Sequence, residues 1–141
     1  MPDVNVLIYA HRAEDPRHRA YAEWLARAVE GPEPIALSVL VAIAFVRVVT
    51  GGPLHTRTPL SVALGFVEEL TAQSSSRVIA PGPGHVDEVA RLCRAIDASG
   101  SMVADAQHAA IAIEHGCTLI SADRDIARFA PHGLRWQHLD L

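Results

Sequence analysis

Acidic side chains stand at three separated points of a chain that is otherwise rich in apolar residues. Asp3 lies in the opening stretch "MPDVNVLIYA", Asp105 in "MVADAQHAAIAIEHG", and Asp123 and Asp125 in "LISADRDIARF". A charge beside a core-forming segment is costly unless it is paired, exposed or bound to an ion. Converging carboxylates also repel one another until a cation neutralises them. We therefore expect Asp3, Asp105 and Asp123 to surround a metal ion.

Mg²⁺, with Mn²⁺ as a possible substitute, is the cation that these donors favour, because both ions prefer hard oxygen ligands. A bound Mg²⁺ keeps several waters and also binds substrate phosphate. It can lower the pKa of a bound water and stabilise charge on a phosphoryl group. The chemistry predicted is metal-assisted hydrolysis of a phosphodiester. Asp105 could instead cap a helix, and Asp123 and Asp125 could belong to a turn. Asp3 is harder to explain in this way, because it lies where the chain should be entering the core.

Strands that alternate with helices are expected to position these acids. Residue types predict strands over 1–9, 34–37, 77–80, 117–121 and 134–139. Helical spacing and boundary residues predict helices over 16–30, 38–50, 85–99 and 105–115, and another from Thr58-Pro59 to the serines at 74–76. This alternation favours a mostly parallel sheet, in which functional groups gather beyond the carboxyl ends of the strands.

The composition is that of one globular domain spanning residues 1–141, with 50% hydrophobic residues and a formal charge of −4. No apolar run approaches the roughly 18 residues of a membrane span. The negative charge argues against a protein that coats nucleic acid, although a local basic patch remains compatible with it. The two cysteines form no metal-binding spacing. They are interpreted as reduced thiols, and the chain as a cytoplasmic protein without a signal peptide.

Taken together, "PDVNVLIYA", the segment from Asp105 to Asp125 and the final "LRW" resemble PIN-domain ribonucleases, in particular the VapC-type toxins of toxin–antitoxin systems. The most specific part is the D-x-N pattern near the start combined with the S-x-D-x-D pattern near the end. The resemblance implies a three-layer α/β/α fold and a Mg²⁺-dependent endoribonuclease. It also implies that a helix begins just after Asn5, where β-branched residues instead favour a continued strand.

Carried over position by position, the resemblance makes Asp3, Asp105 and Asp123 the catalytic and metal-binding acids. Asn5 and Ser121 match polar positions that support these acids, and Asp125 is grouped with them. The motif S-x-L-x-x-x-E of many PIN nucleases aligns with Ser38, so that Ala44 replaces the usual glutamate. This departure favours one protein-bound Mg²⁺, with a second recruited by the substrate.

Basic side chains near the acids are candidates for binding RNA phosphates, namely Arg12, Arg124, Arg128 and His108. For each of them, an exposed or packed residue without a function is the alternative. The stretch "SVLVAIAFV" is apolar on nearly every side, which predicts a homodimer that buries it. The resemblance further implies a VapB-like antitoxin, and an antitoxin arginine paired with Asp3 or Asp105 would suit an acidic cleft.

Two other functions remain open. The absence of a glutamate at position 44 is compatible with a degenerate PIN domain that binds RNA or protein without cleaving it. A haloacid-dehalogenase-like phosphatase would need an aspartate at position 5, where this chain has Asn5. An RNA-cleaving toxin is the function predicted.

Overall fold

The computed structural model describes residues 1–141, apart from the side chain of Leu54. The α-helices are α1 (Val4–His11), α2 (His18–Glu30), α3 (Val39–Thr50), α4 (Leu60–Ala72), α5 (His85–Ile96) and α6 (Ser101–Glu114). The strands are β1 (Ile35–Ser38), β2 (Ser76–Ile79), β3 (Thr118–Ser121) and β4 (Arg135–His138), and 3₁₀ turns occupy Leu54–Thr56 and Arg124–His132.

The strands pair in parallel, as predicted. In one pair Ile35 of β1 lies opposite Ser76 of β2, and in the other Thr118 of β3 lies opposite Arg135 of β4. The first three residues extend the second pair on the free side of β3. There the amide of Ile120 donates to the Met1 carbonyl and the amide of Asp3 donates to the Ile120 carbonyl, both at 2.9 Å. Asp3 and Ser121 consequently lie at the same edge of this sheet.

Two hydrophobic cores lie on opposite faces of the strands. Ile35 and Leu37 belong to the core that α1, α2, α3 and α4 cover, whereas Ala36 packs against the core of α5 and α6. In β3, Leu119 faces the second core and Ile120 the first. Because alternate side chains of a strand point to opposite faces, this division establishes the predicted three-layer α/β/α arrangement.

The predicted strand over 1–9 is wrong beyond Asp3, where helix α1 begins, as the family resemblance implied. Val6, Leu7 and Ala10 are buried at helical spacing, so packing outweighs the β-propensity of the branched residues. The predicted helix over 105–115 begins earlier, at Ser101, and the helix over 16–30 begins at His18. The 3₁₀ segment Arg124–His132 was not predicted.

Ser38 caps α3, since its Oγ accepts a hydrogen bond from the amide of Leu40 at 3.2 Å. Within the described part of the chain, the helices are too short or too polar to cross a bilayer.

Candidate active site

Asp3 is the fixed centre of the site. It ends the extended segment beside β3 and serves as the N-cap of α1, where its Oδ1 accepts a hydrogen bond from the amide of Val4 at 2.7 Å. The residue is only 5% exposed. A buried carboxylate requires hydrogen-bond donors to offset its lost hydration, and three groups supply them.

Ser121 and Asn5 bind the other carboxylate oxygen of Asp3. The Ser121 hydroxyl donates to Oδ2 at 2.6 Å, and the Asn5 Nδ2 donates to the same oxygen at 3.1 Å. Asn5 Nδ2 also lies 3.0 Å from Ser121 Oγ, and its Oδ1 accepts from the amide of Ala122. The two polar residues therefore join the start of α1 to the end of β3, and both bind the carboxylate of Asp3.

Asp123 lies two residues beyond the end of β3 and is exposed. Its amide donates to Ser121 Oγ at 3.0 Å, so the same hydroxyl positions both Asp3 and Asp123. The Asp123 Oδ1 accepts from the amide of Asp125 at 2.9 Å and caps the 3₁₀ segment. Asp123 thus belongs to a turn, which was the alternative explanation for this residue. Its other carboxylate oxygen, Oδ2, takes no part in that hydrogen bond.

Asp105 approaches the same region from α6, in the second turn of that helix rather than at its start. Burial, and after it the charges of Asp3, Asp123 and Asp125, together raise its pKa from 3.8 to about 6. Asp105 therefore lies within electrostatic reach of acids from two other chain segments that are distant in sequence.

Hard oxygen donors of this kind suit Mg²⁺ or Mn²⁺, and the raised pKa of Asp105 marks a place where a cation would relieve repulsion. Among the residues that the structure describes, no three Asp, Glu, His or Cys side chains are arranged to enclose an ion directly. Mg²⁺ does not need such a cage, because water fills most of its coordination positions. The donor set fits this ion through one or two carboxylates.

The family model described as PIN domain matches residues 1–131. The chain belongs to the PIN-domain family. Ribonuclease VapC25 of Mycobacterium tuberculosis is 40% identical over 129 residues, which is 91% of either chain. VapC ribonuclease Mb2897 of Mycobacterium bovis is 40% identical over 137 residues, covering 96% of this chain and 92% of the relative. The resemblance read from the sequence is confirmed, and the phosphatase alternative is not supported.

Solved structures show the same PIN fold. The toxin–antitoxin complex VapBC2 from Rickettsia felis, bound to a DNA fragment of its promoter, contains a chain that matches with a TM-score of 0.71. That match covers 99% of this chain and 98% of the other at 16% identity. VapBC-1 from nontypeable Haemophilus influenzae gives a TM-score of 0.69, also at 16% identity, with 98% and 96% covered.

Ala44 departs from the common PIN pattern and is partly buried within α3. Its methyl group adds no carboxylate, so α3 contributes none at the position where the motif usually has one. The acids of the candidate site are therefore those of α6, of the segment after β3 and of the N-terminal segment.

His108 lies one turn beyond Asp105 in this PIN domain and is 5% exposed. Burial lowers its pKa, and the nearby His85 lowers it too, although the charge of Asp3 opposes them. The ring is therefore neutral at pH 7 and largely enclosed. Its predicted contact with RNA stays a prediction, and it requires the side chain to become more exposed.

His85 is a polar core residue that the sequence analysis assigned no role. Its Nδ1 lies 2.8 Å from Oε1 of Glu114, whose other oxygen accepts a hydrogen bond from the amide of Gly82 at 2.9 Å. This pair holds the start of α5 against the end of α6. The sequence carries no local signal for it, because His85 and Glu114 are far apart along the chain.

The predicted RNA-binding arginines occupy different surroundings. Arg124 lies 3.3 Å from the carboxylate of Asp140, and Arg128 donates to the Ile96 carbonyl at 3.0 Å. Both side chains are exposed. Arg12 lies at the opposite end of α1 from Asp3, and the structure does not bring it to the carboxylates.

Proposed function

We propose that this chain is a metal-dependent endoribonuclease and the toxin of a toxin–antitoxin pair. The observation that carries the proposal is the buried carboxylate of Asp3, which Ser121 and Asn5 bind and which Ser121 links to the amide of Asp123. The charges of Asp3 and Asp123 also contribute to the raised pKa of Asp105. Its relatives at 40% identity are named ribonucleases. Structured RNA is the substrate class that we expect.

Asp3 and Asp105 would hold Mg²⁺ or Mn²⁺, with Asp123 as a further oxygen donor. The bound ion would activate a water and offset charge on the phosphoryl group that is attacked. Ser121 and Asn5 orient Asp3 by donating to its Oδ2. Asp105 lies near acids that disfavour its charge, so its ionised form is the one that gains most from a cation.

Cleavage of RNA by the purified protein tests this function. Activity is expected with Mg²⁺ or Mn²⁺ and is expected to disappear with excess EDTA, with Asp3→Asn and with Asp105→Asn. Glu69→Gln is a matched control, because it also neutralises a helical carboxylate but lies exposed on α4. Cutting that continues unchanged in EDTA would show the mechanism to be wrong.

The absence of a carboxylate at Ala44 favours one alternative, a degenerate PIN domain. A degenerate domain would bind RNA with measurable affinity and leave it intact at every metal concentration. Single-turnover assays with excess protein distinguish the two, since even a slow nuclease converts its substrate under those conditions.

A homodimer is the first partner that we propose. Ile43 is 67% exposed on α3 and Leu64 is exposed on α4. Together with Val46 and Val67 they line a largely apolar groove of about 340 Å³. Exposed apolar side chains that adjoin one another favour burial against another surface, and a second copy would cover them.

A VapB-like antitoxin is the second partner, proposed from the VapC relatives. The acids make the site attractive to a cation, and a bidentate arginine of the antitoxin could take the place of the metal. Expression of the chain alone is expected to arrest growth, and expression with the neighbouring antitoxin-like gene is expected to restore it. Unimpaired growth without that gene would contradict the toxin role.

A further inference from the structure

A basic cleft lies at the end of α1 that is opposite Asp3. It has a volume of about 530 Å³ and is bounded by the chain just after α1 and by the segment that precedes α4. Among its described lining residues, His11, Arg12, His55 and Arg57 carry basic side chains, against the single carboxylate of Glu14. The chain as a whole has a formal charge of −4, so the charge of this cleft is opposite in sign to that of the chain.

We propose that this cleft binds a phosphate of the RNA substrate, away from the phosphodiester that is cut. The proposal rests on the proposed ribonuclease function and assigns a second contact to the same RNA strand. Arginine suits this role, because its planar guanidinium can donate two parallel hydrogen bonds to phosphate oxygens.

Arg12 differs from the arginines that are already paired. Arg17 and Arg91, for example, lie 2.7 Å and 2.5 Å from carboxylate oxygens of Asp15 and Glu88. Arg12 Nε is instead buried, with no hydrogen-bond partner among the described residues. An unpaired buried donor on a cation is costly, and a phosphate bound at the terminal guanidinium nitrogens of Arg12 would offset that cost by balancing its charge.

His11 gives the cleft a fixed wall. Its Nε2 lies 3.2 Å from Thr58 Oγ1, and its ring packs edge-on against Phe45 and Phe66. Burial lowers the pKa of His11, with the charges of Arg12 and His18 adding to this and that of Glu14 opposing it. The lowered pKa favours the neutral ring, so the permanent positive charges of the cleft are those of Arg12 and Arg57.

Helix α1 connects the cleft to the carboxylates. Arg12 follows Asn5 by seven residues, which is two helical turns, so the two positions share a face about 10 Å apart. Asn5 donates to Asp3. One RNA strand along this face would account for both the acidic site and the basic cleft, whereas an acidic peptide would account for the cleft alone.

The test measures RNA binding at several salt concentrations. The probe is a fluorescein-labelled single-stranded RNA of about 20 nucleotides, followed by anisotropy in EDTA at about 50–200 mM salt, the range in which phosphate contacts change affinity strongly. The full chain is compared with the double variant Arg12→Gln/Arg57→Gln. Arg94→Gln, at an exposed position of α5, is the control. Thermal unfolding checks that each variant is folded.

Loss of two phosphate contacts should reduce the slope of log K against log salt by about 1.4, since each contact on a single strand contributes about 0.7. Arg94→Gln should keep the slope of the parent, and Arg12→Lys/Arg57→Lys should largely restore it. Equal slopes for the double glutamine variant and the control would overturn the inference. So would unchanged RNA binding with loss of binding to a partner protein, or a parent chain that binds no RNA.

The inference and the proposed function fail in different ways. RNA that is bound through Arg12 and Arg57 but never cut in Mg²⁺ would refute the nuclease and leave the cleft assignment intact. The cleft assignment alone would be refuted if the parent cuts RNA but the slope of log K against log salt is the same in the parent and in Arg12→Gln/Arg57→Gln.

Discussion

Replacing Asp105 by asparagine should make the folded protein more stable while removing its proposed activity. The pKa of this carboxyl is raised from 3.8 to about 6, first by burial and then by the charges of Asp3, Asp123 and Asp125. Each pH unit of such a displacement corresponds to about 1.4 kcal/mol. The ionised form therefore costs the folded state about 3 kcal/mol at most, and Asp105→Asn removes that cost with little change in volume.

The sign of the pH dependence of the free energy of unfolding follows from the direction in which the pKa of Asp105 is shifted. Because the folded state binds this proton more tightly than the unfolded state, the free energy of unfolding falls as the pH rises from about 4 to 6. The stabilisation that comes from protonated Asp105 is fully present below pH 3.8 and is lost above about pH 6. Asp105→Asn should therefore match the parent near pH 4 and exceed its stability at pH 7.

Urea unfolding in EDTA at pH 4, 5, 6 and 7 measures the difference directly. Glu69→Gln, an exposed carboxylate on α4, should stay within about 0.5 kcal/mol of the parent throughout. Adding Mg²⁺ at pH 7 should stabilise the parent more than Asp105→Asn, because a ligand stabilises the state that binds it. An Asp105→Asn variant no more stable than the parent at pH 7, or a gap of equal size at pH 4, would refute the reasoning.

Two further predictions concern the support of Asp3 and the exposed groove. Ser121→Ala removes a fully buried hydroxyl that bonds Asp3, Asn5 and the amide of Asp123. It should lower the free energy of unfolding by about 1–3 kcal/mol and reduce RNA cleavage, whereas exposed Ser61→Ala should change neither. Ile43→Asp should convert a homodimer to a monomer in sedimentation experiments, whereas Val86→Asp, at a residue 78% exposed on α5, should not; a parent chain that is already monomeric at micromolar concentration would contradict the dimer.

The positions of Asp3 and Asp123 could be predicted because each adjoins an extended segment that packs in the sheet. Parallel pairing brings such ends to one edge, and the amide of Asp3 indeed bonds the carbonyl of Ile120. Asp105 was predicted as a site residue, but its helix begins at Ser101. No side chain caps that end of α6, so the usual residue signal for a helix start is missing there.

Helix α1 and the His85–Glu114 pair illustrate what local pattern cannot decide. A short apolar run such as Val6–Ile8 is compatible with a buried strand or a buried helix, and its tertiary neighbours select between them. His85 and Glu114 meet because α5 and α6 pack side by side. That contact depends on the folded arrangement of two helices and has no counterpart in the neighbouring residues of either one.

The hydroxyl of Ser121 and the carboxylate of Asp3 meet across almost the whole length of the chain. A ribosome adds about 5–20 residues per second, and the amino end of the growing chain emerges first. Asp3 therefore emerges seconds before the residues that orient it, and a growing chain has no complete acidic site until Ser121 and Asp123 have left the exit tunnel. Closing so long a loop is also entropically costly. The site should thus form late in folding, after the first core of α1–α4 has had time to assemble.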